Sequence, residues 1–424
     1  RPWTLWEDWT KGQDLKDEFR EYLQDEYLWK ISKQDRMKVL NAWNEELRSH
    51  LRTDAANCLH ELQKTQKLLN EVHNAYLPDI LRDCRVIGCT TNAAAKHRDL
   101  LAAANAKVLI VEEAGEVLEN HVLASLPSEA EHLIMIGDHM QLRPKIENND
   151  LSCENPRAEH RLNTSLFERL IKRGLPYGKL LTQHRMHPEI ARLVHGTYPK
   201  LKDGPKTANL EPVRGLHRRL QFITHDKPED TAGTDVSSKS KSNSGEVPLV
   251  VNAVKYLCAN GYGEANMVVL TSYVAQLVLI TDELQKANLG ADVGERDRDQ
   301  LDDDALDAID EAGGARQKNK RIRVAVVDNF QGEEADIVIV SLVRSNGNAD
   351  IGFLKDENRV NVLLSRARQG MIVIGNQTTF ESKRANAWSE LFPKFGRIRA
   401  CLDGQCQTHG SRFDVNIADP VLDP

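Results

Sequence analysis

The sequence predicts an α/β protein with two parallel-sheet domains in tandem, preceded by a long helical segment. Residues 13–77 contain neither Gly nor Pro and repeat apolar residues at helical spacing. Beyond Pro78, short apolar runs alternate with helix-like stretches, first between residues 86 and 136 and again from about residue 180. Such alternation is typical of parallel strands that are connected by helices.

The helical segment is predicted to form one long helix or a helical hairpin, a stalk that occupies residues 1–80. Pro78 closes the pattern. A stripe of this kind indicates packing rather than chemistry. Its apolar residues fall mostly three or four positions apart: Leu40, Trp43, Leu47, Leu51, Cys58, Leu59, Leu62, Leu69, Val72 and Tyr76.

Each predicted strand is a short apolar run that ends in polar or turn residues. The first α/β domain is expected over residues 81–175 and the second over residues 176–385. The runs of the first domain are Val86–Cys89, Val108–Val111 and Leu133–Ile136. The runs of the second domain are Leu220–Ile223, Met267–Leu270, Ile322–Val327, Ile337–Val340 and Met371–Ile374.

Two segments of the second domain are predicted to be flexible surface insertions. Residues 226–246 are rich in Ser, Lys, Asp, Thr and Gly. Residues 286–320 contain an acidic run and have little to bury. Residues 386–424 are expected to form a tail.

The charge balance does not exclude a nucleic-acid partner. Residues 291–311 hold ten acids and two bases. Because the whole chain carries −7 and this segment −8, the remaining residues carry +1. With 40% hydrophobic residues, wholesale disorder is excluded. No stretch approaches the ~18 apolar residues of a membrane helix, so we expect no membrane partner. Seven dispersed cysteines indicate a reducing compartment.

Polar residues follow several predicted strands, where ligands of open parallel sheets bind. Glu112 and Glu113 come directly after the run at 108–111, residues 137–144 follow the next run, and residues 328–333 follow a later one. Paired carboxylates at such a position suit a hydrated Mg²⁺ and a general base. An acid pair after a buried strand is more often only a solvated turn, so the pair alone leaves both interpretations open.

Arginines stand in two short motifs of the second domain, Gln183–Pro188 and Asn361–Arg368. Arginines near a phosphate stabilise the charge that develops on a transferred phosphoryl group. Arg366 and Arg368 are two positions apart and would diverge on a helix, so at most one of them can point into a cleft with Arg185. The alternative is that these arginines form surface ion pairs.

Taken in order, seven motifs resemble those of superfamily-one RNA/DNA helicases of the Upf-like group. The likeness is strongest to the branch with NFX-type zinc fingers, which also has Glu-Glu where most helicases have Asp-Glu, and a helical insertion before the first of these motifs. The motifs are VIGCTTNAAA (86–95), VLIVEEAG (108–115), IGDHMQLRP (136–144), QHRMHP (183–188), VLTSYVAQ (269–276), VDNFQGEEADIVIVSLVRSN (327–346) and NVLLSRAR (361–368).

The resemblance implies tandem RecA-like domains, the first incomplete, with an inserted helical stalk. It also implies an ATP-dependent motor that uses Mg²⁺. Glu112 would hold the Mg²⁺, Glu113 would activate the attacking water, and Gln141 would sense the γ-phosphate. Arg185 and Arg366 would be arginine fingers.

The resemblance further assigns residues to the nucleotide and to the nucleic acid. Gln183 and His184 would lie near the base, although His184 stands where relatives often carry a stacking Tyr. Gly332 and Glu333 would approach the ribose and phosphates. Single-stranded RNA or DNA would be bound through its backbone by three threonines: Thr90, Thr91 and Thr271.

The Gly-rich loop of such motors, G-x-x-x-x-G-K-[ST], is missing, because no Gly-Lys-Ser or Gly-Lys-Thr occurs in the 424 residues. We therefore expect the carboxyl-terminal part of a helicase, cut within its first motor domain and inactive alone. A family member that has lost the loop is the less favoured explanation. The alternative function is a non-hydrolysing RNA-binding scaffold that keeps the fold.

The tail contains Cys401, Cys406 and His409, a set that could begin a zinc site. Three candidates without a fourth equally suit ordinary residues, and the branch resemblance is what favours Zn²⁺. The same resemblance implies RNA silencing or RNA surveillance as the process, RNA-silencing proteins as partners and a nuclear or cytoplasmic location.

Overall fold

The computed structural model divides the described chain into two compact units. One unit comprises the described residues up to 107 together with 127–130, and the other comprises 108–126 and the described residues from 131 onward. The described residues are 32–153, 155, 157, 159–231, 240–301, 321–381 and 386–418. Among them, no helix combines the length and the apolar character that crossing a membrane requires.

The first unit is built on one long helix, α1 (Lys33–Ala75), of 43 residues. Its length is roughly 65 Å. Ser32 caps its start by accepting a hydrogen bond from the Asp35 amide at 3.3 Å. The expected long helix is thus confirmed for these residues, while residues 13–31 lie outside the described part. Its apolar stripe is exposed at Leu47, Leu51 and Leu62, so the described residues do not bury it.

Pro78 begins a new helix instead of ending the helical region. The helix α2 (Leu77–Asp83) has Pro78 in its first turn, where a missing N–H is tolerated. Two short helices follow, α3 (Thr91–Lys96) and α4 (Arg98–Ala103). This compact unit extends to Lys107, beyond the stalk end expected at residue 80.

The strand predicted at Val86–Cys89 is wrong. These residues are irregular, and the Val86 side chain is 86% exposed. A strand needs a neighbour to pair its backbone N–H and C=O groups, and residues 32–107 contain no strand. An apolar run is therefore not sufficient for a strand at this position.

The second unit opens with the two predicted strands β1 (Val108–Val111) and β2 (His132–Met135), which pair in parallel. The helix α5 (Glu119–Ser125) lies between them in the chain. The next helix, α6 (Leu166–Lys172), begins at Ser165, whose hydroxyl accepts from the Glu168 amide at 3.1 Å. Two short parallel strands, β3 (Thr182–Gln183) and β4 (Lys202–Asp203), follow with the helix α7 (Pro188–Ala191) between them.

From Leu220 onward the chain forms a six-stranded parallel sheet. Its strands are β5 (Leu220–Thr224), β6 (Met267–Thr271), β7 (Ala291–Val293), β8 (Ile322–Val326), β9 (Ala335–Ser341) and β10 (Ala367–Gly375). They lie in the order β5-β10-β9-β6-β8-β7. Five of the six coincide with the predicted runs of the second domain, which confirms the parallel-sheet α/β class.

Both faces of this sheet are buried. Phe222 and Val373 enter one apolar core, whereas their neighbours Ile223 and Ile374 enter the other. Alternation of side chains along a strand produces this division, and it explains why these strands read as continuous apolar runs. The helices of this region are α8 (Val247–Ala259), α9 (Val274–Lys286), α10 (Glu295–Arg298), α11 (Glu357–Leu364) and α12 (Gln377–Phe380).

The predicted flexible insertions are wrong for their described residues. In the segment 226–246, Glu246 is fully buried, and its carboxylate accepts from the Leu342 and Val343 amides at 3.0 Å each. In the segment 286–320, Ala291 and Val293 are buried in the edge strand β7. This strand was not predicted, because the surrounding sequence is acidic and only the two inward side chains of the strand, Ala291 and Val293, are apolar. Residues 232–239 and 302–320 lie outside the described part.

The expected tail is packed onto the second unit. The helix α13 (Asn386–Phe395) buries Trp388 completely. A hairpin follows, formed by β11 (Leu402–Gln405) and β12 (Arg412–Val415). The Asp403 amide donates to Gln221 Oε1 at 2.8 Å, and Gln221 Nε2 donates to the Asp403 carbonyl at 3.2 Å. Residues 386–418 are therefore part of the folded unit.

Candidate functional site

The acid pair lies at the end of β1. Glu113 adopts φ 49°, the left-handed conformation that a residue with a side chain seldom adopts without a reason. Both carboxylates are exposed, and Glu113 Oε2 accepts from Gln331 Nε2 at 3.2 Å. Gly115 lets this turn approach the loop after β2, since a Cβ there would come within 2.7 Å of the Asp138 carbonyl oxygen.

A third acid of this turn, Glu116, is half-buried. Burial raises its pKa to about 7, and the charge of Glu113 adds to the effect against the opposing charges of Arg296 and Lys145. Glu116 therefore takes up or releases a proton near neutral pH. Glu116 directly follows the motif 108–115, and no feature of the sequence marks it as functional.

The loop after β2 presents Gln141. Asp138 shapes this loop by accepting from the Met140 amide at 3.0 Å and from Gln141 Nε2 at 3.3 Å. The loop is also bound from α11, where Asn358 Nδ2 donates to the carbonyls of His139 at 3.1 Å and Gln141 at 2.6 Å. These contacts join the motif 136–144 to a residue just before the last motif, more than 200 positions along the chain.

Arg366 is the central cation of the site and is only 1% exposed. Its guanidinium donates to the carbonyls of Val362 at 3.0 Å and Glu333 at 3.1 Å, and to Gln141 Oε1 at 3.1 Å. It forms no ion pair with a carboxylate in the described part of the chain. Burial, and next the like charge of Arg185, lower its pKa to about 10. A buried guanidinium of this kind favours an anion as its partner.

Arg185 is partly exposed and ion-paired. Its Nε donates to Glu334 Oε2 at 2.6 Å, and its Nη1 donates to the Ser365 carbonyl at 3.1 Å. Arg368 lies 3.6 Å from the other oxygen of Glu334 and 3.4 Å from Asp336. Of the two arginines that end the last motif, only Arg366 contacts Gln141, while Arg368 forms surface ion pairs.

Gln183 braces the loop that carries Arg185. Its Oε1 accepts from the amides of Arg185 at 2.9 Å and Met186 at 2.7 Å. Its Nε2 donates to the Met186 carbonyl and to Asp203 Oδ1, both at 2.7 Å. Both hydrogens of this amide are thus bound, one to the loop and one to Asp203 in β4, with none left for a nucleotide base. His184 is exposed, and its ring lies against Gly204.

The motif after β8 places Gly332 and Glu333 beside the acid pair. Gly332 has φ 80°, and a Cβ there would lie 3.9 Å from Glu113 Oε1. Glu333 contributes its carbonyl to Arg366, whereas its half-exposed carboxylate lies 3.9 Å from Arg323. The structure therefore brings Glu113, Gln141, Arg366 and this motif together. Gln331, which contacts Glu113, was missed because only the next two residues in the sequence, Gly332 and Glu333, were assigned to the site.

The three threonines assigned to nucleic acid belong to different compact units. Thr90 caps α3 by accepting from the Ala93 amide at 3.2 Å, and it is exposed, while Thr91 is half-buried. Both belong to the first unit. Thr271 lies in the second unit and is 0% exposed, so the structure offers no surface at its side chain. Its side chain is inaccessible because Thr271 ends β6, a strand in which every residue is buried.

The proposed zinc ligands do not form a metal site. Cys406 Sγ lies 3.3 Å from His409 Nδ1, and the pKa of Cys406 is lowered to about 7, chiefly by the His409 backbone N–H and then by its side chain. Cys401 stands at the other end of β11, roughly 16 Å away along an extended strand. Among the described residues, no three potential ligands form a metal-binding group. Two ligands do not satisfy tetrahedral Zn²⁺.

Acids after one strand, a glutamine after the next and a buried arginine between α11 and β10 thus meet at the ends of parallel strands. This arrangement defines the class of α/β proteins that handle phosphate groups at their strand ends. A family model described as "AAA domain" matches residues 162–378, and a second model with the same description matches residues 9–149. The chain belongs to this family.

Similar proteins confirm the resemblance to Upf-like helicases, in the branch with NFX1-type zinc fingers. NFX1-type zinc finger-containing protein 1 of Homo sapiens is 33% identical over 91% of the chain, which spans 18% of that protein. Helicase required for RNAi-mediated heterochromatin assembly 1 of Schizosaccharomyces pombe is 36% identical over 70% of the chain and 26% of that protein. ATP-dependent helicase upf1 of the same yeast is 28% identical over 79% and 33%.

The chain therefore spans less than a fifth of the human relative that it matches. Among solved structures, the arterivirus nonstructural protein 10 helicase in complex with DNA matches 66% of this chain and 41% of its own, at 14% identity. Its TM-score is 0.29, and no conclusion about this protein follows from that likeness.

Proposed function

We propose that this chain carries the hydrolytic part of an ATP-dependent helicase that moves along single-stranded RNA or DNA. The observation that carries the proposal is Arg366, a buried guanidinium that binds Gln141 but no carboxylate in the described chain. A transferred γ-phosphoryl group supplies the missing negative charge, and that charge spreads over its oxygens in the transition state.

The acid pair would activate the attacking water and bind the metal ion. Glu113 would take a proton from the attacking water, and Gln331 holds its carboxylate at 3.2 Å. Glu112 is an exposed carboxylate at the end of β1, free to hold a hydrated Mg²⁺. Mg²⁺ typically binds one or two carboxylates and keeps water and phosphate oxygens as its other ligands, so a larger protein cluster is not required. When bound, it would neutralise charge on the β- and γ-phosphates.

Arg185 would provide a second positive charge to the γ-phosphate. In the present state its Nε is bound to Glu334 at 2.6 Å, so it has to exchange that carboxylate for the phosphate. The exchange conserves an ion pair, which keeps its free-energy change small. Glu116, with a pKa of about 7, would lose its charge readily when the acidic turn is desolvated.

The nucleic acid would be held through its backbone, for which Thr90 is the most accessible of the assigned threonines. The name of the Schizosaccharomyces pombe relative refers to RNAi-mediated heterochromatin assembly, which motivates RNA silencing as the process and RNA as the substrate. RNA-silencing partners and a nuclear or cytoplasmic location are part of this proposal.

RNA-stimulated ATP hydrolysis by the full-length protein tests the proposal. We expect hydrolysis in the wild type and its loss in Glu113→Gln, with ATP binding retained. The matched control is Glu119→Gln, because Glu119 pairs with Arg169 at 2.6 Å outside the site. Equal turnover of Glu113→Gln and wild type would contradict the assignment of Glu113.

A scaffold that binds RNA without hydrolysis is the second candidate. It is favoured by one observation, the absence of Gly-Lys-Ser and Gly-Lys-Thr from the 424 residues. The amides and Lys of such a loop supply much of the binding energy for phosphates. If the full-length protein binds RNA and hydrolyses no ATP in its presence, the scaffold is the correct function.

A further inference from the structure

A continuous chain of hydrogen bonds reaches the site from a tyrosine that no motif contains. Asn361 Nδ2 donates to the Tyr198 oxygen at 2.6 Å, and the Tyr198 hydroxyl donates to Asp138 Oδ2 at 2.6 Å. Gln141 Nε2 donates to the same Asp138 oxygen at 3.3 Å. Arg366 Nη2 completes the chain by donating to Gln141 Oε1 at 3.1 Å.

The chemistry of the groups sets the direction of every bond in this chain. Arg366 can only donate, so Gln141 must present its oxygen to it and its nitrogen to Asp138. The carboxylate of Asp138 can only accept, so the hydrogen of Tyr198 must point to it. The Tyr198 oxygen then accepts from the amide nitrogen of Asn361. None of these groups can exchange its role as donor or acceptor without the loss of a hydrogen bond.

The tyrosine is suited to remain a donor. Tyr198 is half-buried, and burial together with the charge of Asp138 raises the pKa of its phenol. Its partner Asn361 is 4% exposed and also donates to the Met140 carbonyl at 2.9 Å. Asn361 of α11 therefore binds the backbone of the Gln141 loop, and the Tyr198 hydroxyl binds the carboxylate of Asp138 in the same loop.

We propose that Tyr198 is a positioning residue for ATP hydrolysis, which fixes the side-chain amide of Gln141 through Asp138. This inference rests on the proposed function. One hydrogen of Gln141 Nε2 is directed to Asp138, and the second has no partner in the described chain and is available to a γ-phosphate oxygen. Without the hydroxyl, Asp138 loses its shortest hydrogen bond, and the amide of Gln141 is held less firmly.

The test compares Tyr198→Phe with Tyr256→Phe in the full-length protein. Tyr256 is a matched control, because it is 7% exposed and its hydroxyl donates to the Gly215 carbonyl at 2.6 Å, away from the site. Hydrogen exchange of residues 138–142 gives a readout that does not depend on activity. RNA-stimulated ATP turnover gives the second readout.

For Tyr198→Phe we expect faster exchange of the 138–142 amides and a kcat lower by about 10- to 100-fold, with the KM for ATP within about threefold, because misplacement of a catalytic group by ~1 Å has effects of this size. Tyr256→Phe should change neither. In a Gln141→Ala background, Tyr198→Phe should reduce kcat no further, since the tyrosine acts through Gln141.

Wild-type turnover and wild-type exchange in Tyr198→Phe would overturn the inference, as would a full additional loss in the Gln141→Ala background. If the wild-type protein hydrolyses no ATP, the proposed function is wrong. Hydrogen exchange alone then tests whether Tyr198 holds the 138–142 loop in place. Faster exchange in the 138–142 loop would then support the positioning contact, whereas unchanged exchange would overturn it.

Discussion

Asp297 lies in the acidic run, yet its carboxylate is a structural part of the second unit. It is 1% exposed, and its Oδ1 accepts from the Val326 amide at 3.1 Å and from Asn329 Nδ2 at 2.7 Å. Asn329 in turn accepts from Lys145 Nζ at 2.8 Å. Asp297→Ala removes the acceptor of two donors at the end of β8, immediately before the motif that contains Gln331.

The magnitude follows from these two hydrogen bonds. A buried donor left without an acceptor destabilises by about 1–3 kcal/mol, but Asn329 Nδ2 keeps a second acceptor, the Arg296 carbonyl, at 3.3 Å. Burial raises the pKa of Asp297, so removal of its charge offsets part of the loss. We expect a net loss of about 1–3 kcal/mol of unfolding free energy.

Thermal denaturation of the 424-residue chain measures this effect, with a Tm decrease of roughly 2–5 °C expected for Asp297→Ala. Asp299→Ala is the control. It removes the same charge from the same run, but Asp299 is exposed, so its Tm should stay within about 1 °C of wild type. Equal melting of the two variants would refute the structural role of Asp297.

Two further predictions concern the contact between Cys406 and His409 and the ion pair between Arg185 and Glu334. Because its pKa is lowered to about 7, Cys406 should be alkylated by iodoacetamide at pH 7 faster than the exposed Cys58, and His409→Ala should slow it; equal rates in mass spectrometry would contradict this. Glu334→Gln removes the carboxylate bound to Arg185, so the KM for ATP should fall by about 3- to 10-fold in the full-length protein, and an unchanged KM would exclude competition for that arginine.

The sheet was predictable where strands are buried on both faces. The runs at 267–270 and 337–340 are continuous and apolar because each residue enters one of two cores. The strand β7 was not predictable, since Ala-Asp-Val among acids carries no such signal. Conversely, Val86–Cys89 has the signal without a neighbouring strand. Strand pairing depends on which segments meet in the folded protein, and a local sequence pattern does not show this.

The site was predictable as far as its motifs reach. The meeting of Gln141 with Arg366 follows from motifs at strand ends, and the structure brings the two side chains into contact. Tyr198 could not be found in this way, because it lies outside the motifs and acquires its role only when distant segments pack together. Gln331 lies inside the motif 327–346, but nothing in the sequence shows that its side chain contacts Glu113. The burial of Thr271 was likewise invisible, since a threonine at a strand end is equally suited to a surface and to a core.

The central claim is that Arg366 is a buried cation whose proper partner is a phosphate. The measurement that tests it most directly is RNA-stimulated ATP turnover, together with RNA affinity, for Arg366→Lys and Arg368→Lys in the full-length protein. Lys keeps the charge but cannot reproduce the three donations of the guanidinium to Val362, Glu333 and Gln141. Arg368 receives the same substitution two positions away, in surface ion pairs.

We predict that Arg366→Lys reduces turnover by about 10³-fold while RNA affinity stays within about twofold, because an arginine finger acts mainly in the transition state. Arg368→Lys should turn over at nearly the wild-type rate. Wild-type turnover in Arg366→Lys, or an equal loss in both variants, would contradict the account.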